Sequence, residues 1–437
     1  MRSLRTKRWY FAVFIGAFAL GSAAQAGDIE AEPINYAKAR VDNAVSRLER
    51  RLADGKAALT YEPGFGYLRS LLRELNVPQS SQMLVFSKTS LQRHRIAPTR
   101  PRAVYFGDDV YVGFCQRGDV VEVTATDPGL GAVFYTLDQK SPDKPRFTRQ
   151  TDTCTLCHSS SANQGLPGNL VRSVYPDGDG LPILSAGSHR TDHTSPLEQR
   201  WGGWYVTGTG GKQQHLGNLT LKGNPDPTRI ENSKGANLTD LSDRFNTNAY
   251  LSPHSDIVAL MVLEHQAEMH NRIGRATLLT RLALYEEASI NKALDRPADY
   301  RSETTISRIK SAGEPLVKYM LFSDEARLTE RVRGTSDFAE MFSKRGPHDK
   351  RGRSLRDLDL EHRLFAYPCS YLIYSQAFDA MPAPVKEYVY RRLWEVLSGQ
   401  DTSEDFRHLT AADRSAILEI LRETKSSLPD SWRRKAG

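Results

Sequence analysis

The chain has 437 residues, of which 39% are hydrophobic and 25% charged, and a formal net charge of +7. This is the composition of an ordinary globular protein, and the length is sufficient for two or three domains. The basic residues are scattered rather than concentrated, which excludes nucleic acid as a partner, and four cysteines are too few for a disulfide-built scaffold.

The first 26 residues have the three parts of a secretory signal peptide. MRSLRTKRWY is basic, FAVFIGAFAL is apolar and GSAAQA ends in small residues, which predicts cleavage after Ala26. Removal of residues 1–26, with four basic and no acidic residues, lowers the net charge from +7 to +3. An uncleaved anchor is the alternative, but this apolar core, like every later segment, is shorter than the ~20 residues of a spanning helix. We therefore expect a periplasmic mature protein without a stable membrane span.

Residues 27–145 combine predicted helices with a predicted antiparallel sheet. NYAKARVDNAVSRLERRLADGK and YLRSLLREL have apolar residues at helical spacing. AVYFG, VYVGFCQ, VVEVTATD and AVFYTLDQ are short runs rich in β-branched and aromatic residues, which predicts strands. Asp127-Pro128-Gly129 predicts a hairpin turn between the last two.

The rest of the chain falls into two further regions. Residues 146–252 are rich in Gly, Pro, Asn and Ser, and such a long irregular stretch in a compact protein favours a packed functional region. Residues 253–437 read as helical: Ser252 is predicted to cap a helix with Pro253 in its first turn, and Thr410 with Asp413 resembles a capping arrangement. The predicted fold class is α+β: N-terminal helices plus antiparallel sheet, a loop-rich middle region and an all-helical C-terminal region.

The middle region contains the motif Cys154-Thr155-Leu156-Cys157-His158. In an exported protein, C-x-x-C-H is typical of covalent haem attachment. Two thiols three residues apart can each form a thioether with a haem vinyl group, and the following histidine can bind the iron. These five residues resemble the c-type cytochromes. The resemblance implies one covalent haem c with Cys154 and Cys157 as anchors and His158 as proximal ligand, in a cytochrome c-like region over residues 146–252.

Other uses of the motif stay open. A zinc site needs four ligands, usually in two pairs, whereas Cys115 and Cys369 are isolated in sequence. A thiol oxidoreductase places C-x-x-C at a strand-to-helix junction near a tryptophan or proline, which this segment lacks. Cys115 and Cys369 either pair in the oxidising compartment or stay buried free thiols.

The second axial ligand of the iron is less well marked. Small cytochromes of this resemblance usually supply a methionine within the same short domain, but the first methionine after His158 is Met261. His265 lies on a predicted helix in an apolar stripe with Met261 and Met269, and it is the candidate sixth ligand. Either methionine could serve instead. The alternative is a buried His265 hydrogen-bonded to a neighbour such as Glu268.

The segment GSHRTDHTSPLEQRWGGWYVTG offers polar groups for a haem pocket. His193 and Arg200 could act in peroxide chemistry at an open distal face. Arg172, Arg190 and Arg200 could instead pair with haem propionates, or form an ordinary polar network.

The motif predicts an exported monohaem electron-transfer protein with redox partner proteins. One alternative is a haem-dependent, peroxidase-like oxidoreductase with an open sixth position and a small-molecule substrate. The other is a non-haem periplasmic thiol oxidoreductase. The sequence leaves open whether the protein is an enzyme.

Overall fold

The computed structural model describes residues 29–139, 145–223 and 225–433, and the predicted signal peptide lies outside these ranges. The α+β class is confirmed: an antiparallel sheet is combined with helices that are concentrated in the C-terminal region. The helices are α1 Ala44–Ala53, α2 Leu68–Glu74, α3 Thr155–His158, α4 Ile257–Ala293, α5 Glu303–Met320, α6 Phe338–Lys344, α7 Gln376–Asp379, α8 Ala383–Leu397, α9 Ala411–Thr424 and α10 Asp430–Arg433. The strands are β1 Met83–Val85, β2 Arg102–Phe106, β3 Val110–Phe114, β4 Val120–Asp127, β5 Gly131–Asp138, β6 Phe147–Gln150, β7 Arg172–Val174, β8 Ser188–Arg190 and β9 Trp204–Tyr205.

The main sheet is antiparallel throughout, in the order β6-β5-β4-β3-β2-β1-β9. The predicted hairpin is confirmed, because Asp127 of β4 pairs with Gly131 of β5 across the turn. Strand β9 belongs to the loop-rich middle region, and Trp204 pairs with Val85 of β1. Strands β7 and β8 form a separate ribbon. The middle region is therefore tied to the sheet edge by backbone hydrogen bonds.

The two faces of the sheet belong to different hydrophobic cores. Successive side chains of a strand point to opposite faces, so neighbours along a strand separate. Leu84 and Tyr105 pack in one core with residues of α1 and α2. Val85, Val104 and Phe106 pack in the other, together with α4 and the C-terminal helices.

Helix α4 is the central element of the second core, and it begins later than the sequence predicts. The Asp256 carboxylate accepts hydrogen bonds from the N–H groups of Val258 and Ala259, so Asp256, and not Ser252, is the N-cap. The carbonyl of Ser252 instead accepts a hydrogen bond from Gln82 Nε2 at 2.6 Å. This tertiary contact holds the predicted first turn in an irregular conformation. Among the described residues, no helix combines the length and apolarity needed to cross a bilayer.

Two further sequence predictions concern the cap of α9 and the pairing of Cys115 with Cys369. The capping arrangement at α9 is confirmed, because Thr410 Oγ1 accepts from the Asp413 N–H at 3.0 Å and the Asp413 carboxylate accepts from the Thr410 N–H at 3.0 Å. Cys115 and Cys369 are buried free thiols. The alternative, a disulfide between Cys115 and Cys369, is therefore absent from this structure.

Candidate functional site

The C-x-x-C-H motif folds as the short helix α3. The Cys154 carbonyl accepts hydrogen bonds from the N–H groups of Cys157 at 3.3 Å and His158 at 3.0 Å. Thr155 Oγ1 donates to the Thr151 carbonyl at 2.7 Å and so fixes the start of the turn. Residues three and four apart share one face of a helix. Cys154, Cys157 and His158 accordingly line a single cavity.

The His158 ring is held in one tautomer. Its Nδ1 lies 2.8 Å from the Gly168 carbonyl oxygen, and because a carbonyl only accepts, Nδ1 carries the proton. Nε2 then carries a lone pair, and it has no hydrogen-bond partner in the part of the chain that the structure describes. Burial lowers the pKa of His158 below its ordinary value. The ring is therefore a neutral imidazole with one nitrogen left for a ligand.

The carbonyl that orients His158 is itself held in place. The Gly168 N–H donates back to the His158 carbonyl at 3.0 Å, and Asn163 Nδ2 donates to the same oxygen at 2.8 Å. On α4, Asn271 Oδ1 accepts from the Asn169 N–H at 2.7 Å while Asn271 Nδ2 donates to the Asn169 carbonyl at 2.9 Å. A Cβ atom on Gly168 would lie 2.6 Å from Asn271 Oδ1, so a larger residue there would require the Asn271 amide to shift. Helix α4 thus fixes the proximal segment through one side-chain amide.

The cavity encloses about 440 Å³, which is within the roughly 300–1,000 Å³ of small-molecule and cofactor sites. The Phe134 and His158 ring centroids lie 4.7 Å apart at its β5 end. Val85 of β1 lines the opposite end of the cavity. Four strand spacings, or roughly 19 Å, separate β1 from β5. The walls of the cavity are α3, six residues of the segment 87–93, residues 169–172, two residues of α4 and one face of the sheet. The side chains on that face, or the Cα in the case of glycine, are those of Val85, Arg102, Val104, Tyr111, Gly113, Glu122, Thr124, Phe134 and Thr136.

An ion pair lies on the sheet face of this cavity. Arg102 of β2 donates to Glu122 of β4 at 2.6 Å, and Gln92 Nε2 donates to the other Glu122 oxygen at 3.1 Å. Gly113 of β3 lies between them, and a Cβ there would be 2.0 Å from Arg102 Nη2. Glycine therefore allows the arginine to cross the intervening strand. The charged pair makes this part of the cavity wall polar.

The candidate sixth ligands do not reach the cavity. His265 is completely buried, with Nδ1 at 2.8 Å from His193 Nδ1 and Nε2 at 2.8 Å from Ser370 Oγ. It packs in the second core, as do Met261 and Met269, and none of the three is among the cavity-lining residues. The predicted stripe is not a separate face, because residues all around this part of α4 are buried, and the side that includes His265 packs against the C-terminal region. The structure therefore does not bring His265 together with His158.

The polar side chains predicted from residues 187–208 are likewise mostly directed into the core. Arg200 is buried and pairs with Glu264 at 3.1 Å, and it donates to the His193 carbonyl at 3.0 Å. Arg190 forms an ion pair with a carboxylate of α4. Of the four residues predicted for a haem pocket, Arg172, Arg190, His193 and Arg200, Arg172 alone lines the cavity, where Arg93 and Arg102 are also found.

Two further observations concern the zinc and thiol-exchange alternatives. Within residues 29–139, 145–223 and 225–433, no group of three or more His, Cys, Asp or Glu side chains is arranged to hold a metal ion directly. Reactive cysteines have a lowered pKa, whereas burial raises the pKa of Cys154 to about 11. Both cysteines are free thiols in this structure.

Sequence reasoning missed most of the groups that support the motif. Gly168 acts through its backbone carbonyl, and Asn271 acts through its position on α4. Neither role produces a local sequence pattern. Glu122 did leave one, because its charge interrupts the apolar start of β4, whereas Arg102 lies at the first position of β2. Comparisons with protein family models, curated proteins and solved structures find no match to this chain.

Proposed function

We propose that this chain is a periplasmic monohaem c-type redox protein, with haem attached at Cys154 and Cys157 and His158 as the proximal ligand. The observation that carries the proposal is the orientation of His158. Its Nδ1–H is bound to the Gly168 carbonyl, which leaves Nε2 as the ligand nitrogen in a cavity that both cysteines line. A hydrogen bond to the second ring nitrogen is the usual arrangement of metal-bound histidine.

The remaining walls also fit a haem. Apolar side chains such as Val104, Phe134 and Trp204 line the cavity and would exclude water from the ring. Arg93 and Arg172 line it as well, and guanidinium groups are suited to pair with the two propionates. When bound, the haem would supply one-electron chemistry, while the protein binds, orients and shields it.

The exposure of the motif favours electron transfer with redox partner proteins. Cys157 is exposed, and the neighbouring Leu156 is 79% exposed. A haem tethered at Cys157 would therefore have its attached edge near the surface. A partner protein could approach that edge without any opening of the fold.

A second candidate is a haem-dependent oxidoreductase with an open sixth position. Among the described residues that line the cavity, His158 is the only histidine and none is a methionine. Lys88 lines the cavity too, and its amine could bind iron after losing its proton. High-spin iron that is unchanged by Lys88→Ala would favour the catalytic candidate, whereas low-spin iron that becomes high-spin in this variant would identify Lys88 as the sixth ligand.

The first experiment is a haem stain on a denaturing gel of protein exported by cells that mature c-type cytochromes. The wild-type chain should keep its red colour after denaturation, and Cys154→Ala/Cys157→Ala should lose it. Cys115→Ala is the matched control, because Cys115 is a buried thiol outside the cavity, and it should stain like the wild type. A colourless wild-type protein would overturn the proposal.

A further inference from the structure

A second cavity lies between the proximal segment and helices α4 and α5. It encloses about 170 Å³, and its walls are five residues of the segment 163–168, one residue of β8, four residues of α4 and two of α5. Among the described residues, none lines both this cavity and the one beside His158. We call it the arginine cavity, because three arginines line it, Arg190, Arg272 and Arg275.

The arginine cavity carries more positive than negative charge. Glu268 is the only carboxylate among the described residues that line it. Its Oε1 accepts from Arg272 Nε at 2.6 Å, and its Oε2 accepts from Arg190 and from Asn271 Nδ2 at 3.1 Å. Both oxygens are therefore occupied. The three arginines and one carboxylate leave a net charge of +2 on the walls.

Arg275 is the arginine that this carboxylate does not hold. It is half-buried, and it has no hydrogen-bond or ion-pair partner in the part of the chain that the structure describes. Burial and the neighbouring Arg272 charge lower the pKa of Arg275, while Glu268 opposes that shift. Arginine nevertheless stays charged in proteins. Its guanidinium fork is suited to donate two parallel hydrogen bonds to an oxyanion.

The arginine cavity also has a buried acceptor without a partner. Asn163 lines it and is 8% exposed. Asn163 Nδ2 donates to the His158 carbonyl oxygen at 2.8 Å, and because a carbonyl only accepts, the orientation of the amide is fixed. Asn163 Oδ1 is then an acceptor, and it is buried without a hydrogen-bond partner, although buried polar atoms are nearly always paired. A ligand with an O–H group would satisfy it.

We propose that the arginine cavity binds inorganic phosphate as the hydrogen phosphate dianion. Its two negative charges match the net charge of the walls, and its oxygens accept from the guanidinium groups of Arg272 and Arg275. Its O–H group donates to Asn163 Oδ1. Sulfate has the same charge and shape but no proton to donate at neutral pH. The assignment uses no group of the proposed haem site, so it stands independently of the haem.

A larger cavity provides the entrance. It encloses about 660 Å³ and shares Arg272 and two residues of α5 with the arginine cavity. Its remaining charged wall residues are two cations and two carboxylates, Lys310, Lys318, Glu314 and Asp324. Their charges cancel, so the excess positive charge is confined to the arginine cavity. An anion that enters from solvent is therefore drawn toward Arg275.

The test is isothermal titration calorimetry of the exported protein at pH 7, with sodium phosphate as ligand and ionic strength held constant with sodium chloride. The wild-type chain should bind phosphate saturably at one site per chain. Sodium sulfate should bind at least about tenfold more weakly, because it would leave Asn163 Oδ1 unpaired. Asn163→Ala should weaken the binding of phosphate and leave that of sulfate unchanged.

The charge of Arg275 is tested by a matched pair of variants. Arg275→Ala should weaken phosphate binding at least about tenfold, because it removes hydrogen bonds from a charged donor. It breaks no hydrogen bond of the ligand-free protein, so the circular dichroism spectrum should be unchanged. Lys292→Ala removes the same charge from an exposed position of α4 outside both cavities, and it should bind phosphate like the wild type.

Three results would overturn the proposal. Absence of saturable phosphate binding would remove the site. Equal affinity for sulfate and phosphate would show that Asn163 receives no proton from the ligand, and hydrogen phosphate would be the wrong assignment. Equal weakening in Arg275→Ala and Lys292→Ala would mean that phosphate responds only to the overall charge of the protein. The haem stain is a separate measurement, so a colourless protein that binds phosphate would overturn the proposed function alone.

Discussion

Two histidines, the half-buried His158 and the buried His265, show how differently one side chain can be used in this protein. Each ring packs against aromatic neighbours, and each Nδ1 lies 2.8 Å from a partner. At His265 the second nitrogen is also bonded, to Ser370 Oγ, and the ring is enclosed in the core. At His158 the second nitrogen has no hydrogen-bond partner among the described residues, and a cavity lies beside it.

The two histidines differ in whether the surrounding residues satisfy both ring nitrogens. A buried polar group without a partner costs free energy, so the core around His265 is arranged to satisfy both nitrogens. The cavity beside His158 keeps one nitrogen unsatisfied and provides space for a ligand. A cluster of polar and aromatic side chains is therefore not by itself a ligand-binding site. Ligand binding requires an unsatisfied donor together with room for the ligand.

The largest expected difference comes from a matched pair of variants, His158→Ala and His265→Ala. Losing an iron ligand should cost at least the roughly 10–100-fold that losing an outer-shell partner costs, so His158→Ala should lower haem-stain intensity per chain at least about tenfold. His265→Ala should stain normally but lower the free energy of unfolding by about 2–4 kcal/mol, because it leaves a cavity and an unpaired His193.

Imidazole added during expression separates the two roles further. It can occupy the space left by His158→Ala and supply the missing nitrogen, so part of the stain should return. It should not restore the stability of His265→Ala in urea unfolding. Full staining of His158→Ala without imidazole would show that the ring is not the ligand.

The next largest effect concerns the ion pair beside His193. Arg200→Ala leaves Glu264 buried and unpaired, and breaking a buried pair in this way costs about 3–5 kcal/mol. Urea unfolding should show this loss, while the haem spectrum stays unchanged. Arg200→Ala/Glu264→Gln removes the stranded charge and should recover part of the stability. A loss below about 0.5 kcal/mol would contradict the importance of the pair.

This loss should depend on pH. Burial raises the pKa of Glu264 to about 7, and Arg200 opposes that rise, so in Arg200→Ala the folded-state pKa should be higher still. A carboxyl group with a raised folded-state pKa binds more protons in the folded than in the unfolded state. Its contribution is present at low pH and lost as pH rises through that pKa. Arg200→Ala should therefore be destabilised more at pH 8 than at pH 5.

The sequence predicted those parts of the fold that depend on local patterns. The strands β2 to β5, the turn after Asp127 and the capping arrangement of Thr410 and Asp413 are all specified by neighbouring residues. The start of α4 was predicted four residues early, because the contact between Gln82 and Ser252 joins residues far apart in sequence. Local periodicity contains no information about such a contact.

The candidate site divides in the same way. The motif from Cys154 to His158 is local and could be read directly. The side of α4 that faces the cavity could not be predicted from the sequence. The apolar residues of α4 extend around the helix, so their periodicity does not identify one face. His265 was for this reason a reasonable candidate, with Met261 and Met269 as alternatives. Only the packing against the C-terminal region separates it from the cavity.

The smallest expected effect tests how firmly α4 holds the proximal ligand. Asn271→Ala removes both hydrogen bonds to Asn169, so the adjacent Gly168 carbonyl should hold the His158 Nδ1–H less firmly. A weaker hydrogen bond makes the imidazole a poorer electron donor, which should raise the reduction potential by less than the 59 mV that corresponds to a tenfold change in a one-electron equilibrium. Asn271→Asp is the control, because it keeps an acceptor for the Asn169 N–H and should shift the potential less. An unchanged potential in Asn271→Ala would show that the bonds between Gly168 and His158 position the ring without help from α4.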